Sequence, residues 1–166
     1  MNDLCIKISE DFQRFYRGVY EDLSDEPNVD LQSEDVEKLI GIVHSIEIGY
    51  LDENYSSKVS AIVIHTALDH ILFNGNKRLS LILGYFCCHW FGYSMILMEG
   101  NFPRLIKSVV EGVSKTLDQD KKNTMRKNAI KALAKEIEEY SVPHEPMELP
   151  DQSLVGTFLR FIRGKI

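Results

Sequence analysis

The chain has 166 residues, 44% of them hydrophobic, which is enough for one domain with a real core and no need of disulfide support. A formal net charge of −6, from 19 basic and 25 acidic residues, excludes general nucleic-acid binding, because a phosphate backbone needs a basic stripe. Three cysteines, with Cys87 and Cys88 adjacent in an apolar run, exclude a disulfide framework and read as buried thiols in a reducing compartment.

No apolar run approaches the roughly 20 residues of a membrane span, and Met1 to Lys7 lacks the charged-then-apolar order of a signal peptide. The expectation is a cytoplasmic protein with no membrane partner. Ser9, Glu10 and Asp11 suit a helix start, and Phe12, Phe15, Tyr16 and Val19 give that helix an apolar face before the polar turn Asp25-Glu26-Pro27-Asn28. A second helix begins near Ser33 with Glu34 and Asp35 in its first turn, and it buries Val36, Leu39, Ile40, Val43 and Ile46. His44, beside that face, reads as a structural histidine. Ile48 to Tyr55 is short, mixed and Gly-containing, a connecting loop on its own terms.

Ser56 to Leu72 reads as a helix with apolar residues on most faces, among them Val59, Ala61, Ile62, Val63, Ile64, Ala67 and Leu68. Such a helix is central. Leu79 to Phe91 is more apolar still, and Gly92 suits its stop. Tyr93 to Met98 is a short strand or extended turn, and Gly100 to Pro103 breaks the chain. A helix over Arg104–Leu117 turns Leu105, Ile106, Val109, Val110 and Val113 inward. Another, from near Asp118 to Tyr140, buries Met125, Ala129, Ile130, Leu133 and Ile137. Its charges run basic early (Lys121, Lys122, Arg126, Lys127) and acidic late (Glu136, Glu138, Glu139), the wrong order for its own dipole. The face they form is either solvated with local pairs or a docking face for a partner. Pro143, Pro146 and Pro150 make residues 141–150 a non-helical linker. Beyond it Leu154, Val155, Phe158, Leu159 and Ile162 oppose Arg160, Arg163 and Lys165 in a terminal amphipathic helix, residues 151–166, packing on the domain of residues 1–140. Covering a ligand site or binding another chain are the other roles open to it. The fold class is all-α, a single compact domain of six to eight helices with room for a short β flap.

Between the two most apolar helices lies the polar stretch His70-Ile71-Leu72-Phe73-Asn74-Gly75-Asn76-Lys77-Arg78. Asn74, Gly75 and Asn76 allow a tight turn with positive φ, and the turn opens onto a helix start bearing two cations. Exposed amides at a helix N-terminus beside Lys77 and Arg78 form an anion site, and phosphate is the usual anion. Two cations suffice for a nucleotide and are too few for a duplex. His70, at the other end, is a candidate base, although taken alone it reads as a histidine capping helix carbonyls. His44, His65, His70 and His89 lack the spacing of a hydrolytic metal site.

The spacing of His70, Gly75, Asn76 and Arg78 resembles the Fic/Doc (filamentation and death-on-curing) signature, H-x-F-x-[D/E]-[G/A]-N-x-R, and Lys77 is similar to the Doc-type branch. The likeness extends over about residues 35 to 100. It implies a Fic-like helical domain that transfers AMP or a phosphoryl group from ATP, or another NTP, to a Ser, Thr or Tyr hydroxyl of a target protein. In such proteins His70 is the base, Gly75 and Asn76 present donors to the phosphate, Arg78 neutralises charge on it, and Lys77 attracts the polyphosphate or stays solvated. The resemblance also makes Ile48 to Tyr55 a flap that holds an extended target segment.

Asn74 stands where the family has an acidic Mg²⁺ ligand; an amide oxygen can coordinate the ion but brings no charge, so affinity falls. Leu72 replaces the usual buried Phe. Leu81 replaces a second arginine, which favours phosphoryl over AMP transfer. Ser33 and Glu37 have the spacing of a self-inhibitory motif, but Lys38 follows, so a toxin of this kind would need a separate antitoxin-like inhibitor. Two functions stay open: a protein-modifying transferase (AMPylase or Doc-type kinase), and a catalytically impaired Fic-fold module that binds a nucleotide or a protein.

Overall fold

The structure, a computed structural model, describes residues 10–17, 33–49, 54–69, 71, 75–95 and 101–143. These form six helices and one small sheet. Helix α1 covers residues 10–17, α2 Ser33–Gly49, α3 Tyr55–Leu68, α4 Asn76–Trp90, α5 Phe102–Lys115 and α6 Gln119–Glu139. Strands β1 (Tyr93–Met95) and β2 (Ser141–Pro143) pair antiparallel, with Ser94 opposite Val142. The architecture is the expected all-α one with a short β element.

Helix α3 is the centre. Val59, Ala61, Ile62, Val63, Ile64 and Ala67 are all buried, so most of its apolar surface is out of water, and α4, α6 and α2 pack around it. Val63 lies against Gly84 of α4, where a Cβ would come within 2.5 Å of Val63 Cγ2; glycine is what lets the two backbones approach. Helix α1 packs on the far side of α4 through aromatic rings: Phe12 meets Phe86 edge-on with centroids 5.4 Å apart, and Phe15 stacks on Tyr85 at 6.2 Å. Cys87 and Cys88 are buried thiols, and burial pushes the Cys88 thiol well above its ordinary value, so it is inert.

The charges of α6, disordered with respect to its own dipole, are ordered with respect to its neighbours. Glu138 accepts hydrogen bonds from Asn54 and from Ser56 Oγ (2.7 Å) at the start of α3, and Glu136 accepts from the Asn101 amide (3.0 Å) at the start of α5. At the other end of α3, Arg126 Nη2 donates to Asp69 Oδ1 at 3.1 Å. Acid therefore meets helix N-termini and base meets a C-terminus, the arrangement that helix dipoles favour. For Glu136 and Glu138 this replaces both expectations, a solvated face with local pairs and a partner face.

Several boundaries differ from those expected. Helix α2 continues through Gly49, taking in two residues expected in the loop or flap; of that segment residues 50–53 lie outside the described residues, and Asn54 and Tyr55 cap and begin α3. The Asn54 side chain accepts from the Ser57 amide, which fixes that start. Helix α3 stops at Leu68 rather than Leu72, with Asp69 as its cap, and Ile71 lies beyond it, buried. Helix α5 begins at Phe102 rather than Arg104: Pro103 sits in its first turn, where the missing N–H costs nothing. Residues 141–143 are non-helical as expected, but they form a strand on an open sheet edge, a place that tolerates Pro143. Val19, the rest of the linker (144–150) and the terminal segment 151–166 lie outside the described residues. None of the described helices is long and apolar enough to cross a membrane.

Candidate functional site

Helix α3 ends at Leu68 and α4 begins at Asn76, so the described residues of the candidate site lie at these two helix ends. On the α3 side the Asp69 amide closes the helix on the His65 carbonyl (2.9 Å). Its carboxylate is held from two directions, by His65 Nδ1 at 3.3 Å and by Arg126. Burial alone would raise the Asp69 pKa, but the His65 hydrogen bond and the Arg126 charge outweigh it and hold the carboxyl below its ordinary range. Next along the described chain, Ile71 is buried at 3% exposure and anchors the connection in the core.

On the α4 side Gly75 has φ 94° and ψ 5°, the left-handed conformation expected of the turn. Its carbonyl accepts the amides of both Arg78 and Leu79 at 2.9 Å, and glycine itself has no side chain with which to cap the helix. Asn76 is buried, Lys77 and Arg78 are exposed, and Leu79 is fully buried, so the first turn is clamped from beneath and shows two cations to solvent. Ser80 Oγ donates to the Lys77 carbonyl at 2.9 Å and adds to that clamp. The first turn itself contains no acid that would oppose an anion there.

Gly75, Asn76, Lys77 and Arg78 therefore stand together on one helix start. The proposed base His70, the proposed metal ligand Asn74 and the anchor position Leu72 lie outside the described residues. Among the described residues no group of three or more His, Cys, Asp or Glu side chains could hold a metal ion. Asp69, the carboxylate nearest in sequence, is engaged by His65 and Arg126.

Sequence reasoning missed two parts of this region. The His65–Asp69 contact was readable as an i,i+4 pair on one helix face, whereas Arg126 reaches Asp69 from a helix far along the chain and left no local signal. Ile71, expected inside the helix, lies beyond its end and is buried. Compared with protein-family models, with curated proteins and with solved structures, the chain matches none.

Proposed function

We propose that the junction of α3 and α4 binds the phosphates of ATP or another NTP, and that the protein transfers AMP or a phosphoryl group to a Ser, Thr or Tyr hydroxyl of a target protein. The supporting observation is the start of α4: a helix that begins on a left-handed glycine, with Lys77 and Arg78 exposed and no acid in its first turn. The spacing of His70, Gly75, Asn76 and Arg78 adds the chemistry. In this reading the target hydroxyl gives its proton to the His70 imidazole as its oxygen bonds to phosphorus. The bond to the leaving pyrophosphate, or to the leaving nucleoside diphosphate, breaks in the same displacement. Amides at Gly75 and Asn76 and the Arg78 guanidinium stabilise charge on the transferred phosphate, while Lys77 draws in the polyphosphate.

The test is to incubate the protein and its His70→Ala variant with cell extract and ATP labelled at either the α or the γ phosphate. His70-dependent α label means AMP transfer, and His70-dependent γ label means phosphoryl transfer. No His70-dependent label from either ATP, with Mg²⁺ or Mn²⁺ supplied, overturns the reading and leaves a binding module.

A further inference from the structure

The middle of α6 carries charge that the fold does not use. Residues 121–135 contain six basic residues and no acid. Removing them from the totals of 19 and 25 leaves 13 basic against 25 acidic residues, a formal charge of −12 for the rest of the chain. Arg126 is occupied by Asp69. Lys121, Lys127, Lys131 and Lys135 are exposed on the helix face opposite buried Ala129, Ile130, Leu133 and Ile137, whereas Lys122 is half-buried on the side of Ala129 and Leu133. Among the described residues none of these five lysines has a side-chain ion pair or hydrogen bond.

Local stability does not account for them. Lys127, Lys131 and Lys135 follow each other at i,i+4, with Cβ atoms about 5–6 Å apart, a spacing at which like charges weaken a helix. No basic residue lies in the last turn, where the dipole would favour one. The acids are segregated to the helix ends, where Asp118 caps α6 and Glu136 and Glu138 bind α5 and α3.

We propose that this lysine face of α6 is a docking surface for an acidic segment of a partner protein. Charge complementarity selects the occupant. The patch spans about 21 Å at 1.5 Å per helical residue, the length of a short peptide segment. The strongly acidic remainder of the chain repels any longer polyanion, which disfavours a nucleic-acid duplex. Between the lysines the outward positions are Thr124, Asn128 and Ala132, so no large apolar or aromatic side chain is present to enter a bilayer or stack on a base. Lysines act as solvated point charges that do not demand bidentate geometry, which suits carboxylates on a loosely ordered segment. Binding of this kind is fast and salt-sensitive. It is independent of the nucleotide chemistry proposed above.

The probe is a fluorescein-labelled, glutamate-rich peptide of about ten residues, long enough when extended to cover the patch. Its binding is followed by fluorescence anisotropy at low and at physiological ionic strength. Wild type binds at low salt, and the reversal K127E/K131E/K135E weakens binding by about tenfold or more. The milder K127Q/K131Q/K135Q, whose fold is checked by circular dichroism, weakens it in the same direction. The control R104E/K107E/K115E makes the same charge change on exposed α5 positions and alters binding by less than about twofold. The proposal is overturned if wild type does not bind the peptide or if the α5 control loses as much as the α6 variant. Tighter binding to oligothymidine or to phosphatidylserine vesicles than to the peptide also overturns it, as does self-association through α6.

Discussion

Replacing Gly84 with alanine measures how closely α3 and α4 must approach. By helix propensity alone the change stabilises the chain by about 1 kcal/mol. The new methyl would lie 2.5 Å from Val63 Cγ2 and 3.5 Å from the Phe102 ring. Val63 is fully buried and β-branched, so it cannot swing aside, and overpacking of this kind costs about 1–3 kcal/mol. The expected net effect of Gly84→Ala runs from neutral to a loss of about 2 kcal/mol. Val63→Ala alone removes two buried methyl groups and costs about 2–3 kcal/mol. In its background the contact is relieved, and Gly84→Ala regains its propensity advantage of about 1 kcal/mol. The double-mutant cycle, read by urea denaturation with far-UV circular dichroism, should show a coupling of about 1–3 kcal/mol. Stabilisation by Gly84→Ala in the wild-type background, or additivity of the two changes, would refute the close-approach account.

Three further outcomes follow from particular contacts. Glu138→Ala removes the carboxylate at the start of α3 and should cost about 1 kcal/mol in urea denaturation, more than Glu139→Ala on the same turn. Because the Asp69 carboxyl is held below its ordinary range in the folded chain, its stabilising contribution is present at neutral pH. It is lost as pH falls from the unfolded value, about 3.9, through the lower folded one. Melting points of wild type and Asp69→Asn should therefore differ at pH 7 and draw together as the pH falls below about 3.9; a gap that stays constant would mean the pairing is not ionic. Gly75→Ala should cost about 1–2 kcal/mol through its positive φ, and Gly75→Asn clearly less, since asparagine tolerates that region. Equal melting points for the two variants would show that backbone conformation is not the reason for glycine there.

Much of the helical core was legible because its signal is local. Leu39, Val43 and Ile46, and Ala129, Ile130, Leu133 and Ile137, recur at the helical period, and all are buried. The glycine turn before Lys77 and Arg78 was legible for the same reason, since φ and exposure there follow from four consecutive residues. What escaped depends on partners remote in sequence. Glu138 reads as one of several acids until α3 is placed against it, and Arg126 reads as surface charge until Asp69 is at hand. The pairing of Tyr93–Met95 with Ser141–Pro143 is of this kind too. It is reinforced by Tyr55, which stacks on Tyr93 at 3.6 Å and hydrogen-bonds to Ser141, and none of the three segments predicts the others.

The all-round apolarity of α3 has a consequence for the order in which the molecule is made. Its flank against α4 can be covered as soon as residues 69–90 have emerged from the ribosome, because that contact bridges only a short connection. The flank against α6 has no cover until Gln119 and the residues after it are synthesised, so the nascent chain carries a greasy, unprotected hairpin through much of its elongation. Truncation before α6 should therefore yield aggregates or chaperone-bound chains rather than a smaller folded protein.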